Sequence, residues 1–331
     1  MGTTKVMQLW RFPVKSMGGH QVDQVRVDRR GVHADRLWAV RDLDHDITAT
    51  ARKIPALLGC TARYATEPGP DAGPGNVPPV IVTFPDGAEV FSGDPAVHSK
   101  LSELVGRPVR LTALPPVSDT SQHRLSPKQT KASFSAAEVR RDFGLTPAEA
   151  LPDTSVFTTK QVLTLARFST PPGTFVDLSP VHLLSTTSLA SLSVDGDGYD
   201  VRRFRPNVLV SVDQPVSEFP ESDWVAATLE IGGAAMRVTV PTIRCVVPTR
   251  PQPGLELDRA LTRRLADRTN RFLGVYADVV RPGMLRVGDE IRVVPATPPG
   301  VARRTASAAG RAVMRQGQRL LEATVLRERA D

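Results

Sequence analysis

Val240-Pro241-Thr242-Ile243-Arg244-Cys245-Val246-Val247-Pro248-Thr249 follows a turn signal at Gly232-Gly233 and the β-branched run Val238–Val240. A Gly-Gly turn followed by such a run reads as a hairpin. Cys245 therefore stands at the end of a strand in a sheet-rich fold. The chain has two cysteines in 331 residues, one in each half. That excludes a disulfide framework, an iron–sulfur cluster and a four-cysteine zinc site. A thiol next to Arg244 is expected to have a lowered pKa and to favour thiolate, the form that ligates a soft metal or carries sulfur. The same surroundings fit a small buried core residue, and the local sequence leaves both readings open. Cys60, in Leu58-Gly59-Cys60-Thr61, has no such context and reads as structural.

Strands and short helices extend outward from this hairpin. Val6–Phe12, Gln21–Val27, Leu37–Val40, Pro108–Leu114, the run before Ser185, Asn207–Val212, Val275–Val280 and Glu290–Val294 are strand-like. Val80–Phe84 and Ala88–Phe91 flank the turn Pro85-Asp86-Gly87 as a second hairpin. Asp94, Pro95 and Gly106 bracket a helix with Val97, Leu101, Leu104 and Val105 on one face. Further helices are expected at Ala136–Phe143, Thr187–Leu192 and Leu257–Leu273. Many strands with few helices predict an α+β, mostly β architecture, and the lack of sustained βαβ units argues against a doubly wound nucleotide fold. The expected division is 1–115, a connection over 116–153, a second domain over 154–296, and a basic helical tail over 297–331.

The composition, with 40% hydrophobic and 23% charged residues, is that of a globular chain. No apolar run approaches a spanning helix, so no transmembrane segment is expected. The N-terminus lacks a signal-peptide pattern, which makes a cytoplasmic location the expectation. The formal charge is +7. Residues 297–331 hold Arg303, Arg304, Arg311, Arg315, Arg319, Arg327 and Arg329 against Glu322, Glu328 and Asp331, leaving a mildly basic body. With aromatics at 5% there is little material for base stacking, and no nucleic-acid partner is expected. The tail's apolar stripe (Val313, Leu320, Leu321, Val325) fits a helix packed on the body or a partner better than a lipid anchor.

Five scattered segments carry groups suited to an anion: Pro13-Val14-Lys15-Ser16, Asp35-Arg36-Leu37-Trp38, Asp177-Leu178-Ser179-Pro180, Phe204-Arg205-Pro206-Asn207 and Arg244-Cys245. Arg forks match phosphate oxygens in pairs and Lys acts as a point charge. Each segment alone is a common turn or strand end. In order and spacing, together with Leu9–Ser16, Thr50-Ala51-Arg52, Thr249 and Gly283–Asp289, they resemble the MOSC proteins, in particular the branch of the mitochondrial amidoxime-reducing component. The resemblance runs from Leu9 to Pro295 and fades over Pro115–Thr154.

It implies an N-terminal MOSC β-barrel domain packed on a MOSC β-barrel core, with a molybdenum–molybdopterin cofactor between them. Cys245 would be the protein thiolate on the metal and a catalytic residue. Lys15, Ser16, Arg36, Arg205 and Arg244 would bind pterin and phosphate, with Ser179 and Asn207 adding hydrogen bonds. Asp177 matches an acidic position near the metal and is a candidate proton relay. Ile243 and Leu178 depart from the small polar and Thr-like residues expected there. The implied function is reduction of small N-oxygenated compounds by oxygen-atom removal. Electrons would come from a separate ferredoxin, flavoprotein or cytochrome, because the chain lacks cysteines for a fused ferredoxin domain. A sulfur transferase with a persulfide on Cys245, or a non-enzymatic cofactor carrier, is the alternative.

Overall fold

The computed structural model describes residues 3–296 except 134, 147, 148, 150, 154 and 195. The basic tail over 297–331 lies outside the described residues. The chain is mostly β, as expected, and its largest element is a seven-stranded barrel. Around it run Val208–Val212, Val181–Ser185, Phe272–Arg281, Ala234–Ile243, Thr228–Ile231, Glu290–Val294 and Thr4–Arg11. Thr4–Arg11 pairs back onto Val208–Val212 and closes the ring, which leaves no open edge there. The first strand of the chain is thus completed by strands from its second half. His20–Val22 hangs on Thr4–Arg11 outside the ring.

The barrel interior follows from period-two alternation. Val181 and Leu183, Val208 and Val210, Leu229 and Ile231, and Val275, Ala277 and Val279 all point into one buried core. One pair, Val181–Ser185 with Val208–Val212, is parallel. Its crossover carries the helix Thr186–Leu192, so one βαβ unit does occur. That helix packs with Leu261 and Leu265 of a second helix on the outside of the barrel.

A second core holds Val14, Val40, Leu57, Cys60, Val82, Leu101 and Leu111. It is enclosed by the sheet of Val109–Ala113, Trp38–Asp42 and Ile47–Thr48 and that of Thr61–Tyr64, Val80–Thr83 and Glu89–Phe91, with the helix Ala96–Val105. Cys60 is part of this apolar core, and burial pushes its thiol up to about 12. A third sheet joins Gly283–Arg286 to Gln24–Asp28 and Gly31–Val32, locking the two halves together.

Several elements differ from their expected bounds. Gln21–Val27 is two strands, broken at Asp23, because His20–Val22 pairs with the barrel strand and Gln24–Asp28 with Gly283–Arg286. The helix expected over Leu257–Leu273 is only Ala260–Thr269. Asp258 Oδ1 accepts from Leu261 N at 3.1 Å, starting the helix late, and Asn270 ends it with φ 49°. Leu273 then belongs to the following strand. The connection holds helices at Pro127–Ser133 and Ala136–Phe143, and a third follows at Thr159–Arg167. The third is marked by a capping box, Thr158 with Gln161, that is visible in the sequence.

Candidate functional site

The strand Ala234–Ile243 ends with a register shift against Phe272–Arg281, between Pro241 and Ile243, and the chain then turns into Arg244 and Cys245. A shift at a strand end re-aims the side chains beyond it. Cys245 therefore faces a cleft of about 110 Å³ rather than the barrel interior. Lys15, Ser16, Arg36, Asp177, Ser179, Arg205, Asn207, Arg244 and Cys245 all line this one cleft. Arg52, Arg203, His182, Thr50, Thr242 and Tyr276 line it as well.

Three of the lining residues have left-handed backbones: Ser16 (φ 71°), Arg36 (φ 53°) and Arg205 (φ 56°). Non-glycine residues rarely take this conformation, and where they do the surrounding structure must hold them. Arg36 N donates to Phe12 O at 2.7 Å, and Phe12 N donates to Asp35 Oδ1 at 2.8 Å. The Arg36 guanidinium also pairs with Asp35. Ser16 Oγ accepts from Ala51 N at 2.9 Å. Arg205 Nη1 donates to Met17 O at 2.5 Å. The Phe12 ring lies 4.9 Å from Arg36 Cζ and 4.4 Å from Arg205 Cζ, so one aromatic ring serves both cations.

Arg244 is a brace. Its Nε donates to Leu273 O at 2.8 Å, its Nη1 to Phe204 O at 3.1 Å, and its Nη2 meets His182 Nε2 at 2.5 Å. His182 accepts that hydrogen bond as a neutral ring. Burial, and then the Arg244 charge, push it well below the ordinary histidine value. Both side-chain polar atoms of Asn207 are likewise engaged within the protein. Oδ1 accepts from His182 N at 3.2 Å and Nδ2 donates to Trp10 O at 3.4 Å. Arg203 fastens the following loop through Pro248 O and Glu256 O, at 3.1 Å and 2.7 Å.

Six cations and one carboxylate line the cleft. Burial, then neighbouring Arg36, pushes Arg205 down to about 9. Burial also lowers Arg244, to about 10. Lys15 Nζ donates to Phe175 O at 3.0 Å and pairs with Asp177. Burial lowers Lys15 despite that carboxylate. Burial alone would raise Asp177, but Lys15 first, then Arg52 and Arg36, outweigh it and hold the carboxyl below the usual range. Asp177 is thus an ionised acceptor at neutral pH. Its side chain keeps 67% of its surface exposed, so solvent screens the pairing.

For Cys245 the structure reverses the simple expectation. Burial raises its thiol, and this outweighs Arg52, a backbone hydrogen bond at Val247, and Arg244. Proximity to an arginine lowers a thiol only where desolvation does not dominate.

Comparison with known proteins identifies two domains in the chain. Residues 3–73 match the MOSC N-terminal beta barrel domain, and residues 171–292 match the MOSC domain. This is a MOSC-domain protein. Mitochondrial amidoxime reducing component 2 from Bos taurus is 25% identical over 311 residues, covering 86% of this chain and 82% of that one. The same-named protein from Rattus norvegicus is 26% identical over 319 residues, with equal coverage. Among solved structures, the YUAD protein from Bacillus subtilis aligns over 90% of this chain and all of that one, at 14% identity and a TM-score of 0.41.

The cleft of this MOSC protein fits a molybdenum–pterin cofactor by its donor set. Among the described residues, no three His, Cys, Asp or Glu side chains converge as a metal site. A metal at Cys245 must therefore arrive with most of its own ligands. Three buried polar atoms on lining residues, Thr50 Oγ1, Arg205 Nη2 and Thr242 Oγ1, have no hydrogen-bond partner among the described residues. Buried polar groups ordinarily have partners, and these three supply hydrogen-bonding sites for a polar anion.

Sequence reasoning assigned no role to Arg52, Thr50, Thr242 or Tyr276. The quoted Thr50-Ala51-Arg52 segment was the available signal for the first two. Nothing local marked Tyr276, which reaches the site through the pairing of its strand with Val181–Ser185.

Proposed function

We propose that this protein is a molybdenum cofactor-dependent reductase of N-oxygenated compounds, such as hydroxylamines and amidoximes. The observation that carries this reading is the convergence, in one cleft, of a lone thiol with six cations and three buried polar atoms that lack a partner among the described residues. The relatives' names, amidoxime reducing components, supply the substrate class.

Cys245 would hold the metal, and a coordinated thiol is deprotonated whatever its value without metal. Arg36 and Arg205, held against Phe12, would bind the phosphate and pterin edge, with Lys15 and Ser16 beside them. Ser179 lines the same wall. Arg244 and Asn207 would act from behind, fixing the cleft wall through His182, since their own polar atoms are already engaged. When bound, the cofactor supplies a two-electron redox centre that takes an oxygen atom from substrate. The protein's part in proton delivery would fall to the Lys15–Asp177 pair. Lys15 Nζ donates to Asp177, so Lys15 would be the donor and Asp177 would orient it.

Electrons would come from a separate ferredoxin, flavoprotein or cytochrome, because two cysteines cannot hold an iron–sulfur cluster. Among the described residues no helix is long and apolar enough to cross a membrane. Metal analysis of protein from a cofactor-competent host, with a reductant-driven assay on benzamidoxime, tests the reading. Molybdenum with turnover is expected. Protein without molybdenum but with a trappable Cys245 persulfide would instead make it a sulfur transferase, and bound pterin without turnover a carrier.

A further inference from the structure

The helix Ala136–Phe143 lies in the part of the chain between the two family matches, outside both. Its last turn contains a local contradiction. Arg140 and Arg141 suit the negative end of a helix dipole, but Asp142 beside them does not, and it is also buried. An acidic residue placed against local preference must be held by partners elsewhere.

Those partners come from both sides of the cleft. Asp142 Oδ2 accepts from Arg52 Nη1 at 3.1 Å, and Lys53 Nζ lies 2.9 Å from Oδ1. The backbone carbonyl of Asp142 accepts from Val246 N at 2.9 Å, directly after Cys245. Phe143 O accepts from Arg271 Nη1 at 3.0 Å. The carbonyl end of this helix is therefore capped by the cysteine-bearing loop, while its carboxylate grips Arg52 from the other half of the chain.

Arg52 differs in exposure from Lys15 and Arg36, the other two cleft cations that pair with a carboxylate. Lys15 pairs with Asp177, Arg36 pairs with Asp35, and Arg203 and Arg244 spend their donors on backbone carbonyls. The side chain of Arg52 keeps 36% of its surface open, against 4% for Lys15 and 11% for Arg36. Asp142 accepts from one of the Arg52 nitrogens, Nη1, and the side chain as a whole stays partly exposed. Arg52 lines the same cleft as Cys245, and the helix end that holds it is hydrogen-bonded to the residue after Cys245.

We propose that Asp142 is a positioning residue that holds Arg52 in the cleft of Cys245, and that Arg52 makes this cleft select substrates carrying an anionic group. This rests on the reductase reading for the kind of substrate, but not for the selection itself.

The test compares benzamidoxime with 4-carboxybenzamidoxime, bound to the full chain without reductant and followed by calorimetry. Wild type should bind the carboxylate about tenfold more tightly, the effect of one charge-assisted contact. Arg52→Gln should reduce that preference to within about twofold. Asp142→Asn should lower it severalfold, and Asp142→Glu should restore most of it, which a purely structural role would not predict. Molybdenum content should stay at the wild-type level in Arg52→Gln. Equal binding of the two compounds by wild type, or unchanged discrimination in Arg52→Gln, overturns the proposal. So does full discrimination in Asp142→Asn. Absence of molybdenum and of benzamidoxime reduction in wild type would sink the reductase reading, and the binding comparison would still decide this one.

Discussion

Gly274→Ala probes the wall behind Cys245 without touching any ligand-binding group. Gly274 has φ +78°, and a Cβ built there would lie 2.6 Å from His182 Nε2, 2.6 Å from Leu183 O and 3.2 Å from Arg244 Nη2. A left-handed backbone at a non-glycine residue costs about 1–3 kcal/mol. Overpacking adds roughly 1–3 kcal/mol more, and Leu183 O cannot swing aside because it belongs to a paired barrel strand. A total loss of about 2–6 kcal/mol is expected, which at roughly 2 °C per kcal/mol for a chain of this size lowers Tm by about 4–12 °C. The displaced Arg244–His182 contact should also loosen the turn that carries Cys245, reducing cofactor retention. Thermal unfolding by circular dichroism, with molybdenum analysis on the same samples, measures both effects. A Tm within about 1 °C of wild type would refute the close-approach argument.

Cys245→Ala should abolish metal retention and turnover while changing stability by less than about 1 kcal/mol, because Cys245 is only half-buried; metal analysis and denaturant unfolding check this. Arg205→Ala should weaken cofactor binding by about 1.5–3 kcal/mol, roughly 10- to 100-fold, seen as lower occupancy at limiting cofactor. His182 has a depressed value in the fold, so the unfolded chain takes up a proton that the native state refuses. Its stability contribution is complete above about pH 6.5 and is lost below it, at up to about 1.4 kcal/mol per pH unit. His182→Gln should make the acid-side slope of unfolding free energy shallower by about that amount. His20, His98 and His123, also depressed, keep the slope from vanishing. Removing residues 297–331 should weaken the salt dependence of electron transfer from an acidic donor, because that segment carries more than half of the net charge.

The sequence by itself determined the barrel strands and the chemical types at the site. Apolar, β-branched runs such as Val208–Val212 and Val275–Val280 are local properties, so they are legible one segment at a time. The segments carrying Lys15, Arg36, Asp177, Arg205 and Cys245 were legible for the same reason, as short runs in order. Only the tertiary structure decided what those groups do. Phe12 meets Asp35 across 23 residues, Arg52 meets Asp142 across 90, and Asn207 meets Trp10 across 197. Such partners turn Arg244 and Asn207 into braces and leave Arg205 with a free donor. Burial also sets the sign for Cys245, where an adjacent arginine had pointed the other way. A side chain's hydrogen-bond partners and dielectric surroundings are contributed by residues remote in the chain, and no local pattern encodes them.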